Sequence, residues 1–350
     1  MKRNHLHLLV MSIIMFVLML FGVLQTDIFR TTVNILGISI NIYYLLFWLI
    51  ATTILILRFG LEKDKHLYKT DVLQIIFIFT VAFLIITYLV GLITGFTMTP
   101  YNLAFLKIIE NITPVIIVIV CQELIRYIVV KKGNKINIAL IVLFFVTTII
   151  ALNIRAYNLS DPLEIFECLG ILILPAIISN LLLTYIVKKN GYKPALLYRF
   201  MFELPIYLIP IAPDLGIYIT SMLNIIFPVV LFLKLNAFFG KVQFNQPKRS
   251  IITKLIIIMP SALVLLIVIV LVSGIFRVYA LAIISNSMRP HIKRGDAVIV
   301  EKLAEKDLNI LEINDIIVFE HDNKIVVHRV TEIKNINNRY IFQTKGDNNN

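Results

Sequence analysis

Residues 255–302 read LIIIMPSALVLLIVIVLVSGIF followed by RVYALAIISNSMRPHIKRGDAVIVEK. The first part, residues 255–276, is 22 residues without a single charge. At about 1.5 Å rise per residue it spans the roughly 30 Å of bilayer hydrocarbon as a helix. The second part changes texture. Apolar residues alternate with polar ones at period two, and Arg294-Gly295-Asp296 supplies turn chemistry, which is the pattern of short β-strands. Two solvents therefore meet near residue 276, with a membrane-type chain before it and a β-rich module after it.

Upstream, the composition extends the membrane reading over most of the chain. Of 350 residues, 59% are hydrophobic and 15% charged, and the mean hydropathy is +0.89. Soluble domains carry about a quarter charged residues. A soluble enzyme, a fibre and a disordered chain are excluded. Nine apolar runs are expected to cross as helices, since hydrocarbon offers no partner to an open backbone amide. They are 8–25, 38–57, 72–95, 113–130, 136–154, 167–187, 195–212, 215–235 and 255–276. The sixth and seventh contain Pro175, Pro205 and Pro210, read as tolerated kinks. The expected fold is a polytopic α-helical membrane protein of about nine spans, followed by a small all-β extracytoplasmic domain. Residues 1–254 form a membrane domain of eight helices, 255–276 the ninth, anchoring helix, and 277–350 the β module.

The basic residues divide unevenly between alternate loops. Seventeen fall on one side: Lys2, Arg3, Arg58, Lys63, Lys65, Lys69, Lys131, Lys132, Lys135, Lys188, Lys189, Lys193, Lys234, Lys241, Lys248, Arg249 and Lys254. Arg30, Lys107 and Arg155 fall on the other. An excess of Lys and Arg marks cytoplasmic loops, so the N-terminus is expected inside, the protein multi-pass in the cell membrane, and the tail outside the cytoplasm. The net charge of +12 is thus a topology signal and not a nucleic-acid footprint. No cleavage site of the small-x-small type follows the first span, so it is read as retained. Residues 28–40 are expected to form a short amphipathic stretch. Cys121 and Cys168 lack CxxC spacing, which points to neither a disulfide framework nor a zinc site.

Ionisable residues inside spans are costly and therefore informative. Glu123 with Arg126, and Arg199 with Glu203, stand three and four apart, spacings at which helical neighbours pair. They read either as a proton or substrate path or as two self-neutralised structural pairs, the second being the simpler reading.

In the tail, YALAII, AVIVEK, DIIVFEH, KIVVHRVTEI and RYIFQTK read as five strands, separated by turn formers that include Asn314-Asp315, Asp322-Asn323 and Asn337-Asn338. Chemistry concentrates in Ser285-Asn286-Ser287-Met288-Arg289-Pro290. Two serines one residue apart, ahead of a stiffening proline, can offer a nucleophile and an oxyanion donor, or can simply be turn residues. His328 shares a strand face with Val326 and reads as a base or as a satisfied core residue. Asp347, after Gly346, can bring a carboxylate to the histidine or close a turn, and Asp296 has the same turn reading. Together Ser287, His328 and Asp347 would complete a Ser, His, Asp arrangement.

The boxes SNSMRPHIKRGDAVIVEK, INDIIVFEH, IVVHRVTEI and FQTKGDNN, in that order and spacing, resemble the signal peptidase I family. The similarity is to the branch that uses histidine in place of the bacterial lysine. It covers about the last fifth of the chain. The resemblance implies Ser287 as nucleophile, His328 as general base, Asp347 as the acidic partner, and Ser285 as helper of the Ser287 amide at the oxyanion. It implies a membrane-bound serine endopeptidase acting on exported preproteins, with no metal and no organic cofactor. Its partners would be preprotein signal peptides in the bilayer and, through the spans, export machinery, with no nucleic acid. Asn286, Arg289 and Asn314 stand where the family has Gly, an acidic or other residue, and Gly. The family also continues past the equivalent of Asn350 with further strands and another acidic residue, so the natural chain is expected to extend beyond this end. The alternative is a multi-span transporter or receptor-like protein whose tail is a non-catalytic binding module of peptidase descent.

Overall fold

The computed structural model describes residues 2–25, 28, 33–35, 38–63, 66, 68–101, 104–242, 278–321, 324–336 and 339–349. Helices α1 (Lys2–Leu20), α2 (Ile42–Phe59), α3 (Lys69–Thr94), α4 (Phe105–Lys132) and α5 (Lys135–Asn153) come first, with a short hairpin of β1 (Val33–Ile35) and β2 (Ile38–Ile40) between α1 and α2. The hairpin pairs Val33 with Ile40, so an antiparallel pair replaces the amphipathic stretch expected over 28–40. Strand β3 (Phe96–Met98) follows α3. Then come α6 (Pro162–Glu167), α7 (Leu174–Asn190), α8 (Tyr192–Glu203), α9 (Pro205–Leu208), β4 (Ile211–Pro213) and α10 (Gly216–Val242).

Among the described residues, seven helices are long and apolar enough to cross a bilayer: Asn4–Val23, Ile42–Phe59, Lys69–Thr94, Leu106–Lys132, Lys135–Ala156, Pro162–Asn190 and Gly216–Gly240. They correspond to seven of the nine expected spans. The expected span 255–276 lies outside the described residues. The expected span 195–212 is corrected: it is no continuous helix but α8, α9 and β4. The reason is proline chemistry. Pro205 cannot donate to the preceding turn, Pro210 repeats the interruption, and the chain beyond it pairs as a strand with β3. Pro175 behaves differently. It sits inside the long helix Pro162–Asn190, where residues 168–173 widen to a π turn and the Leu174 amide reaches back to the Leu169 carbonyl. That widening absorbs the proline without ending the helix.

Helix ends follow from local sequence. Asn134 and Asn137 form a reciprocal capping box that starts α5. Gly191, at φ 83°, ends α7 and lets α8 begin at once. Several hydroxyl side chains on the apolar helices are satisfied within their own turn. Ser12, Thr52, Thr80 and Thr148 each donate to the carbonyl four residues back.

The chain forms two compact units. The first comprises Met1–Leu84, Leu106–Leu204 and Gly216–Ser261. One of its cores surrounds Trp48, fully buried, with the rings of Phe47, Phe144 and Phe145 at 5.3, 5.6 and 5.9 Å. A second core joins Val72, Ile76, Leu183, Tyr198, Phe227 and Leu231.

The second unit comprises Ile85–Phe105, Pro205–Leu215 and Ala262–Asn350. Its β module has the five strands expected: β5 (Val278–Ala282), β6 (Ala297–Glu301), β7 (Ile316–His321), β8 (Lys324–Ile336) and β9 (Arg339–Lys345). Strands β5 and β6 pair antiparallel, Ala282 opposite Ala297. Strands β7, β8 and β9 form an antiparallel sheet with β8 central. The expected turns Asp322-Asn323 and Asn337-Asn338 lie outside the described residues; the registers run to His321 opposite Lys324 and Ile336 opposite Arg339. A bulge interrupts the β8–β9 register between Val330 and Glu332.

Candidate active site

The serine segment leaves β5 and returns to β6 through residues held by their own backbone. Ile283 N–H donates to the Asp296 carbonyl and Gly295 N–H to the Ile283 carbonyl, both at 2.8 Å. Within that loop the Asn286 carboxamide oxygen accepts from the Arg294 amide at 3.1 Å, and its carbonyl accepts from the Arg289 amide at 3.2 Å. Asn286 therefore fixes the loop through its side chain; its backbone is not in the left-handed region. Asn314 is the residue that takes the glycine-like conformation, at φ 81°. Met288, 1% exposed, anchors the segment in the module's interior. Asp296 accepts from the Lys293 amide at 2.7 Å, the turn role read from the sequence.

Ser285 is exposed and Ser287 half-buried. Their hydroxyl oxygens lie 3.2 Å apart, in mutual hydrogen-bond reach. The Ser287 carbonyl accepts from the Asn348 amide at 2.7 Å, which ties the serine segment to the chain leaving β9. Glycine is required at that junction: a Cβ on Gly346 would lie 2.7 Å from the Ser287 carbonyl oxygen.

His328 sits on β8 opposite Ile317, half-buried, with its ring edge-on to Phe319 at 6.2 Å between centroids. Its neighbour Arg329 points to the other face and makes a two-pronged ion pair with Asp347. Arg329 Nε donates to Oδ1 at 2.9 Å and Nη2 to Oδ2 at 2.7 Å. The third arm of the guanidinium donates to the Asn314 carbonyl at 2.8 Å. The carboxylate that the sequence assigns to His328 is thus hydrogen-bonded to Arg329. The Arg329 hydrogen bonds hold the Asp347 carboxyl below the usual carboxylate range, and the positive charge of Arg329 adds to this. Asp347 raises the Arg329 guanidinium in return. His328 stands within electrostatic range of Asp347 without a hydrogen bond to it.

The structure brings Ser285 and Ser287 into contact and ties Ser287 to Asn348, next to Asp347, whereas His328 makes no hydrogen bond to Ser287 or Asp347 and leaves β8 from the face opposite to Arg329. Sequence reasoning missed Arg329, His291 and Gly346 as parts of this arrangement. Strand alternation set His328 on one face with Val326, but the reach of its neighbour Arg329 to Asp347 was not legible. An open cleft of about 650 Å³ is lined by Pro290, His291, Asn314, Ile316, Arg329 and Asp347. Among the described residues no group of three or more His, Cys, Asp or Glu side chains has metal-binding proximity.

A second polar cluster lies within the first unit. Glu123, 0% exposed, pairs with Arg126 Nε at 3.1 Å, and Arg199 pairs with Glu203 at 2.6 Å. Arg199 also reaches Glu123 at 3.4 Å, so the two expected pairs are one network. Arg126 spends its remaining donors on Asn180 and Thr184 of α7 and stacks its guanidinium 4.3 Å from the Phe145 ring centre. A cavity of about 260 Å³ beside it is lined by Gln122, Arg126, Ser179, Tyr198, Arg199 and Asn224, among others.

Residues 260–342 match the Peptidase S24-like family. Over 69 residues the chain is 35% identical to "Signal peptidase I W" of Bacillus subtilis (strain 168), a match that takes in 19% of this chain. The chain spans about a third (35%) of that relative's length. No solved structure matches the chain. The tail is therefore similar to peptidase-type modules, and the chain's resemblance to the signal peptidase I family is confined to this segment.

Proposed function

We propose that the protein is a membrane-bound serine endopeptidase that removes signal peptides from exported preproteins. The observation that supports this reading is the pair of serine hydroxyls at 3.2 Å, bonded through the Ser287 carbonyl to the segment bearing Asp347, which follows β9, the strand paired with the His328 strand β8. His328 takes the Ser287 proton as the hydroxyl attacks the scissile carbonyl, then returns it to the leaving amine. An acyl-enzyme forms and water resolves it. Ser285 and the Ser287 amide stabilise the oxyanion. Asp347, kept ionised by Arg329, supplies the negative field that favours the imidazolium while it carries the proton. The substrate follows from placement. At no more than about 3.5 Å per residue, the eleven residues from 276 to 287 hold the nucleophile within about 40 Å of the expected membrane span.

The test is cleavage of a preprotein by the full natural chain. Ser287→Ala and His328→Ala should each abolish cleavage, and the double variant should be no worse than either single, as for groups that act as one unit. Full activity in Ser287→Ala would remove the peptidase reading.

A further inference from the structure

The serine loop is braced by residues more than 180 positions upstream of it. Phe96 N–H, at the start of β3, donates to the Gly295 carbonyl at 2.8 Å. Gly295 in turn donates to Ile283, two residues before Ser285. The backbone approach there is close. Gly95 lies at φ 103°, and a Cβ on it would meet the Gly295 Cα and carbonyl oxygen at 3.2 Å.

The hairpin of β3 and β4 that presents this amide is itself fixed from several directions. Its register sets Phe96 opposite Pro213 and Met98 opposite Ile211. The Asp214 amide donates to the Gly95 carbonyl at 2.9 Å and the Thr99 amide to the Pro210 carbonyl at 2.9 Å. Tyr88, on the last turns of α3, donates its hydroxyl to the Ile211 carbonyl at 2.7 Å. Phe96, Ile209 and Ile211 bury themselves together with Ala282, the last residue of β5, which is 2% exposed. A β module consisting of residues 278 onward alone would leave Ala282 uncovered and the Gly295 carbonyl without this donor.

We propose that the β3–β4 hairpin, assembled from two segments of the multi-span region, positions the nucleophile loop, with Phe96 as the positioning residue acting through Gly295. This rests on the peptidase reading of Ser287. It gives the multi-span region a part in catalysis beyond anchorage, because residues 95–98 and 211–213 set where the serine loop sits.

Three variants of the full-length protein in membranes test it. Phe96→Pro removes the donor, Gly95→Ala forces the two backbones apart, and Phe96→Leu keeps both the N–H and an apolar side chain. Preprotein cleavage and hydrogen exchange are read together. Phe96→Pro and Gly95→Ala should lower kcat about ten- to hundredfold with KM little changed, as small misplacements of a reacting group do. Exchange should rise over residues 281–296 while β7, β8 and β9 stay protected, and Phe96→Leu should behave as wild type. Wild-type kcat in both disruptive variants would overturn the proposal. So would an exchange increase spread evenly over 278–349, because that is loss of folding and not of position. If the wild-type protein cleaves no preprotein, the peptidase reading fails separately, and the exchange pattern alone decides whether the hairpin holds the loop.

Discussion

Gly346 shows how one missing side chain places a nucleophile. The Ser287 carbonyl accepts from the Asn348 amide at 2.7 Å, and a methyl group on Gly346 would occupy the same space as that carbonyl oxygen. A backbone oxygen cannot swing aside as a flexible side chain does, so Gly346→Ala should displace the serine segment. The expected cost is about 1–3 kcal/mol of stability, as in other overpacked sites, and a loss of preprotein cleavage larger than the stability loss explains. Thermal unfolding and kcat measured on one preparation check it. The Arg329–Asp347 pair makes a pH prediction. Asp347 titrates below its unfolded value, so its contribution to stability is present above about pH 4 and disappears as the pH falls through the lowered native value. Acid unfolding of the β module should be shallower in Asp347→Asn, and an unchanged acid limb would refute the pairing. At this scale strand alternation and turn chemistry made the strand and turn positions of Ser285, Ser287, His328 and Asp347 legible, while their catalytic roles came only from the resemblance to the signal peptidase I boxes. The partner of Asp347 was not legible. Alternation states which face a side chain leaves from but not how far a long guanidinium reaches around an edge.

The helical elements show the limits of hydropathy. Residues 195–212 are apolar enough to read as a span, yet Pro205 ends α8 and the following residues join β3 across more than a hundred positions. No local pattern announces a pairing between Phe96–Met98 and Ile211–Pro213, since each strand is only three residues long. Pro175, by contrast, stays inside its helix because a π turn precedes it. The charged residues were legible as helical pairs by spacing, while their union into one network required the packing of α4 against α7 and α8. That union sharpens a prediction. Glu123 balances both Arg126 and Arg199, so Glu123→Gln leaves two arginines against one carboxylate, and Arg126→Leu leaves two carboxylates against one arginine. Either single change should cost about 3 kcal/mol or more, the penalty of an uncompensated buried charge. The double variant keeps Arg199 with Glu203 and should recover most of the loss. A double-mutant cycle on thermal stability in detergent measures it, and additive losses would show the network is not a charge-balanced structural unit.

For the whole molecule, the charge asymmetry and the fold can be combined into one expected topology. Lys188 and Lys189 at the end of α7 and Lys193 in the first turn of α8 mark the cytoplasmic side under the positive-inside rule. Strand β3 follows α3 directly, and β4 pairs with β3, so both strands belong to the side to which α3 leads. That side is opposite to Lys63, which precedes α3, and Lys69, which begins it. Residues 191–210 must then still carry the chain across, as a broken crossing and not as a helix, and the alternation of seventeen against three basic residues survives the loss of that span as a helix. Helix α10 returns the chain to the lysine-rich stretch that includes Lys241, Lys248, Arg249 and Lys254. On the proposed reading, a crossing over 255–276 would deliver the β module to the far side, where the cleavage site of a signal peptide would emerge. Cysteines introduced by Gln243→Cys and Asp322→Cys report on the two sides. Cys121 and Cys168 are free and buried, so the parent protein should label little with an impermeant thiol reagent. In intact cells the Asp322→Cys protein should react and the Gln243→Cys protein only after the membrane is opened. Reaction at 243 without reaction at 322 would invert the topology and place the module in the cytoplasm, where exported preproteins have not yet presented a cleavage site, and the peptidase proposal would fall with it.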